Sequence, residues 1–266
     1  MTGAAKFNVR GFTLLEVIGV MAVLAILAGA LAPTVFQTMQ EGYRTAEKQS
    51  LANIHESLVE VLQRDKRFPT ETLSDWRDTV ADYMSVAPSQ VEQNSRNYNR
   101  RLYVDPMFFT ATNQVFPGFT QTQGLTSTLN SPRAMLVSSL TGNVNTNIST
   151  HAQFQLVWEQ GTGALLVESP DLLIERINLA SEFVQVLLSN ASTDQAGYQL
   201  DGATEGAVAA AAGAFDGNTT LYVVAGTKIE LNEAPYPGGG TLRTDIIDRS
   251  DSFRYEFNGA AWVWSK

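Results

Sequence analysis

The chain has 266 residues, a net charge of −9, 44% apolar and 9% aromatic residues, and no cysteine. Its length can bury a substantial core, and its acidic balance argues against nucleic acid as a general partner. Without thiols there are no disulfides, thiolate zinc sites or cysteine nucleophiles. With His55 and His151 as the two histidines, most imidazole-based metal and catalytic sites are excluded as well.

The first predicted element is an apolar run. Phe12 to Phe36 spans 25 residues and carries one charged side chain, Glu16. As a helix it is long enough to cross a hydrocarbon core about 30 Å thick. Lys6 and Arg10 precede it and no acid does, so the positive-inside rule keeps the first residues cytoplasmic and exports the remainder.

Three readings compete for this run. A cleaved signal peptide finds an A-x-A site in Ala30-Leu31-Ala32, but Pro33 would follow the cut directly. A plain membrane anchor leaves Glu16 unexplained. An acid at the centre of a span costs about 2.5–3.5 kcal/mol and is usually kept for a partner. In the third reading, Gly11-Phe12-Thr13-Leu14-Leu15-Glu16 resembles the processing site of type IV prepilins and type II secretion pseudopilins.

That resemblance implies a sequence of events. A prepilin peptidase cuts the basic leader, residues 1–11, after Gly11. Phe12 becomes the N-terminus and is N-methylated, and Glu16 takes the family's glutamate position. The Phe12 amine and the Glu16 carboxylate of a neighbour then pair in lipid, each offsetting the other's desolvation. Pro33 matches the family's kinking proline, which removes one helix hydrogen bond. With Gly29 it marks the stretch that unwinds when such helices pack in a filament.

Beyond Pro33 the helix is expected to continue to about Arg67 and stop before Pro69. Met39, Tyr43, Ala46, Leu51, Ile54, Leu58 and Val61 or Leu62 recur at helical steps and form the inward stripe. Glu41, Arg44, Glu47, Lys48, Glu56, Glu60 and Arg64 fill the outer face. A second helix is expected over Thr72–Met84. The stretch 94–101, NSRNYNRR, reads as a solvated loop. Its competing reading is a DNA contact, with Arg96, Arg100 and Arg101 on phosphates and Tyr98 stacking on bases.

Short strands are expected at Leu102–Val104, Ala134–Ser138, Phe154–Trp158 and Ala164–Glu168, with polar loops at Thr120–Asn130 and Thr141–Thr150. Ser169-Pro170 resembles a helix start, so a helix is expected from there to Asn190, burying Leu173, Ile177, Ala180, Val184 and Leu187. Strands then follow at Thr220–Val224, Lys228–Leu231, Leu242–Asp248 and Ser252–Phe257. Asn258-Gly259 predicts a hairpin, with Trp262 and Trp264 on one face of its second strand.

Catalytic motifs are missing from this sequence. His55-Glu56 begins like a zinc-protease motif, but Val59 stands where the second histidine is required. No cofactor is implied. Asp245, Asp248 and Asp251 form a candidate calcium cluster by ligand type, without the spacing of an EF-hand. Asn147, Asn190 and Asn218 each begin a glycosylation acceptor pattern.

The resemblance therefore implies an α+β, pilin-like fold: a long N-terminal helix, membrane-spanning in its first half, packed on a C-terminal antiparallel sheet with inserted helices. The expected organisation is leader 1–11, membrane and filament-core helix 12–36, and amphipathic half-helix with globular domain 37–266. The implied function is a minor pilin or pseudopilin of a type IV pilus or type II secretion pseudopilus, not an enzyme. Its implied partners are prepilin peptidase, other subunits, the inner-membrane assembly platform and membrane lipid. It would sit in the inner membrane with its globular domain in the periplasm, then in a filament. The alternative is a filament-tip protein that binds DNA or a surface.

Overall fold

A computed structural model describes residues 14–69, 75–108, 119–120, 129, 131–202, 206–208, 217–232, 240–248 and 253–265. The chain forms two compact units, Met1–Ala46 and Glu47–Lys266. Helix α1 (Leu14–Asp65) contributes to both. In the first unit α1 carries no buried side chain. In the second it buries Leu51, Ile54, Leu58, Val61 and Leu62, the inward stripe expected from their spacing. The stripe starts differently from the expectation, because Ala46 is exposed and Glu47 is buried. The helix ends where Lys66 turns to φ +50, ahead of Pro69.

After α1 come β1 (Arg67–Phe68), α2 (Asp75–Met84), α3 (Pro88–Glu92), β2 (Arg101–Val104), β3 (Phe119–Thr120) and β4 (Arg133–Ser139). The onset expected at Thr72 lies outside the described residues, as does most of 120–130. Next come α4 (His151–Glu159) and β5 (Leu172–Asn178). Strands β2, β4 and β5 make a three-stranded antiparallel sheet. Alternation gives it two apolar faces. Leu102, Leu136 and Ile177 pack with α1 and α2, while Tyr103, Met135 and Val137 pack with Phe154 and Val157 of α4.

The remaining strands are β6 (Phe183–Asn190), β7 (Ala196–Leu200), β8 (Gly206–Val208), β9 (Gly217–Val224), β10 (Thr227–Asn232), β11 (Thr241–Ile247), β12 (Phe253–Phe257) and β13 (Trp262–Ser265). They form two four-stranded sheets, ordered β11-β10-β7-β8 and β13-β12-β6-β9. Strands β6 and β12 run parallel, and the other described pairs in these sheets are antiparallel. Their facing sides share one apolar cluster that includes Val186, Leu188, Leu221, Ile229 and Tyr255.

The fold is α+β, a long apolar helix followed by antiparallel sheets and short helices. The sheet that faces α1 comes from the middle of the chain. The C-terminal strands pack chiefly on one another.

Three sequence expectations are corrected. Phe154–Trp158 is helical, because Thr150 and Gln153 form a reciprocal capping box at the start of α4. Phe154 and Val157 then fall on its buried side. Residues 164–168 form an irregular loop, held by Gln160: its Oε1 accepts from Glu168 N at 2.7 Å, and its Nε2 donates to Val157 O at 2.7 Å.

The helix expected over 169–190 is two strands joined by a single 3-10 turn, Ala180–Glu182. Ser169 Oγ accepts from Asp171 and Leu172 N–H groups without starting a helix. Strand β5 pairs with β4 over its whole length, and β6 lies between β9 and β12. These non-local ladders override the local start signal. The buried pattern is accordingly Val186 and Leu188, two apart, while Ala180 is exposed.

The hairpin at Asn258-Gly259 is present, with Phe257 opposite Trp262. Gly259 takes φ +94, and Asn258 N donates to Ala261 O at 3.2 Å. Trp262 is buried and Val263 exposed, as alternation requires. The side chain of Trp264 lies outside the described residues.

Candidate assembly site

The candidate site begins in the first turn of α1. Leu14 is 81% exposed, and every residue from Leu14 to Gly42 is exposed. Glu16 stands among them as the acid of the first turn. Gly11 and Phe12 lie outside the described residues. A helix that is apolar all round yet uncovered by its own chain calls for lipid or other helices around it. By length and composition α1 suffices to cross a membrane.

Pro33 sits inside this helix, which continues through it. Proline has no N–H to give to the carbonyl four residues earlier, and that carbonyl belongs to Gly29. The two expected kink residues thus share one missing rung. Gly29 also lacks a side chain, and a Cβ there would meet nothing within 4 Å. One turn on, Thr38 Oγ1 donates to Thr34 O at 3.0 Å, a bond that bends helices slightly.

The first buried side chain of α1 is Glu47, 2% exposed, and it meets Arg100, 3% exposed. Arg100 Nε donates to Glu47 Oε1 at 2.6 Å and Nη2 to Oε2 at 2.8 Å, a bidentate pair. Nη2 also reaches Ser50 Oγ, and Nη1 donates to the carbonyls of Gln90, Val91 and Gln93. Each guanidinium nitrogen is engaged inside the protein. Arg100 is therefore corrected from a DNA-contact candidate to the residue that fastens α1 to α3 and β2.

Its two companions are half-buried. Arg96 Nη1 donates to Leu140 O at 3.2 Å, and Arg101 begins β2. The stretch from Asn94 is not a solvated loop either. Asn94 is buried, donates to Ser139 O at 2.7 Å, and accepts from the Arg96 and Tyr98 N–H groups. Sequence reasoning missed the Glu47–Arg100 pair because 53 positions separate its members. An arginine within a polar stretch gives no sign of burial.

The acidic candidates do not converge. Arg243 occupies the Asp245 carboxylate, whose charge also acts on the Tyr255 phenol. Asp248 is exposed at the end of β11, and Asp251 lies outside the described residues. Among the described residues no three histidine or acid side chains group closely enough to hold a metal. Both histidines meet carboxylates: His55 Nδ1 lies 2.7 Å from Glu175 Oε1, and His151 Nδ1 2.8 Å from Asp105 Oδ1. The fully buried Asp105 also accepts from Arg133 Nη2 at 2.7 Å and Met107 N at 2.9 Å. Asn190, in one acceptor pattern for glycosylation, is buried with its amide on Asp194 O.

Residues 6–32 match a family model, the prokaryotic N-terminal methylation motif. This motif is the signature of type IV pilins and pseudopilins. It supports a pilin-like or pseudopilin precursor, and a structural subunit in preference to an enzyme. It implies processing by prepilin peptidase and assembly with other subunits. No curated protein and no solved structure matches the chain.

Proposed function

We propose that this chain is a minor pilin or pseudopilin: a structural subunit, cut after Gly11, N-methylated on Phe12 and assembled through its N-terminal helix. The observation that carries the reading is the methylation motif over residues 6–32, continuous with a helix that its own chain leaves exposed from Leu14 to Gly42. In this reading residues 12–36 hold the precursor in the inner membrane. The globular part stands in the periplasm until the assembly platform moves the subunit into a filament.

Glu16 then has a defined task. Its carboxylate pairs with the Phe12 amine of a neighbour, a contact available only at the correct stagger between subunits. Leaving either charge alone in an apolar surrounding is costly. Gly29 and Pro33 supply the weak rung at which the helix opens as it packs.

Intact-mass and N-terminal peptide analysis of the protein from a host with active prepilin peptidase tests the proposal. The expected N-terminus is N-methylated Phe12. A Gly11→Glu variant is expected to keep the leader. Recovery of Pro33 as the N-terminus, or of the intact leader in the unsubstituted protein, would overturn it.

A further inference from the structure

We infer that residues 183–265 form a cooperative unit of their own, a β-sandwich docked on the end of α1 by a latch at Gln63 and Lys66 and by two apolar side chains, Phe183 and Val224, set into the first core. The chain passes from the helix-and-sheet part into the sandwich once, through the 3-10 turn Ala180–Glu182. Every described strand after that turn pairs with another strand after it. The apolar cluster between the two sheets is drawn wholly from residues 184–262. The clusters around the three-stranded sheet come from earlier residues, with Phe183 and Val224 reaching across the joint. A contiguous segment with its own ladders and core has the anatomy of a domain, and its length lies in the usual range.

The joint has a different character. Gln63 Nε2 donates to Glu182 Oε2 at 2.6 Å, and Lys66 Nζ donates to Ala225 O at 2.9 Å. Lys66 reaches that carbonyl because it leaves the helix at φ +50. Gly226, at φ +83, leaves room for it: a Cβ there would lie 3.3 Å from Nζ. Phe183 stacks edge-on against Phe108 with centroids 5.9 Å apart. Burial pushes the Lys66 ammonium below its ordinary value, while the Asp201 carboxylate acts the other way. A desolvated ammonium returns part of what its hydrogen bond gains.

The inference is independent of how the N-terminus is processed. It is tested by native-state hydrogen exchange with mass spectrometry on the full chain in detergent, with and without Lys66→Met or Gln63→Leu. In the parent, β6, β9 and β12 are expected to lose protection at a denaturant concentration different from that for β4, β5 and residues 47–62 of α1. Lys66→Met is expected to quicken exchange at residues 225–227 about tenfold or more, the loss of one charge-assisted hydrogen bond. Protection inside β6, β9 and β12 should stay within a factor of about two. A single common step for both halves, or equal loss of protection at the joint and inside those strands, would overturn it. The Gln63→Leu comparison reads the same joint from the helix side, so the test does not hang on one variant.

Discussion

From Leu14 to Gly42 no side chain of α1 is buried, whereas from Glu47 to Leu62 seven are. From Val17 to Pro33 the first stretch is apolar on every side. The second is amphipathic, with one stripe turned to the sheet and polar residues elsewhere. An apolar surface left open by its own chain must be covered from outside, and an amphipathic one is completed from within. In the proposed function one helix therefore divides its work: the first half for lipid and neighbouring subunits, the second for the fold. Glu16 and Glu47 mark the contrast. Glu47 is a buried carboxylate held by Arg100, whereas Glu16 is exposed in α1, and the proposed function pairs it with the Phe12 amine of a neighbour.

The largest effect is expected where that contrast is broken at Arg100. Arg100→Met leaves the Glu47 carboxylate buried without its partner, which costs about 3–5 kcal/mol. Urea unfolding of the soluble fragment 40–266 measures it. This fragment is expected to fold alone, because its stripe is covered by its own sheet. Glu47→Leu together with Arg100→Met should cost less than Arg100→Met alone. A double variant as unstable as the single one would mean that the carbonyl bonds of Arg100, and not its charge pair, hold α1.

Leu58→Ala comes next. Leu58 is fully buried, and removing a buried leucine side chain costs about 2–5 kcal/mol. The melting temperature of the same fragment should fall. In the full chain, Leu24→Ala, at a residue exposed in α1, should leave the melting of the globular part unchanged, which sharpens the division between the two halves.

A smaller effect tests the sandwich. Burial first, then the Asp245 carboxylate, pushes the Tyr255 phenol far above its ordinary value. Between the ordinary value, about pH 10, and the raised one, the folded chain keeps a proton that the unfolded chain releases. Stability from this group is therefore complete below about pH 10 and falls as pH rises further, by up to about 1.4 kcal/mol per pH unit. Tyr255→Phe should flatten the alkaline slope. An unchanged slope would place the loss elsewhere.

The two halves of α1 also differ in what the sequence discloses. Both the apolar run and the stripe at Leu51, Ile54 and Leu58 are written in short-range periodicity, and so were the strands after Thr220. The motif around Gly11 and Glu16 is equally local. What stayed hidden depends on distant partners. Residues 172–178 and 183–190 are strands because β4, β9 and β12 lie beside them; their spacing alone also fits a helix. Thr150 and Gln153 spell a capping box ahead of α4, a local signal that the strand reading of Phe154–Trp158 does not use. Arg100 was read as a surface residue because burial of a charge is decided by its counter-ion, here 53 positions away.

The most direct test of this division of labour is a pair of measurements on Glu16→Leu, made in the full chain within its native host. One is the fraction of subunit in sheared or sedimented filaments, set against the membrane-bound pool. The other is the melting temperature of the globular part, followed by protection of Leu58 and its neighbours. The account predicts normal processing, unchanged melting, accumulation in the membrane and poor entry into filaments. Filament entry equal to that of the parent, or a lowered melting temperature, would contradict it.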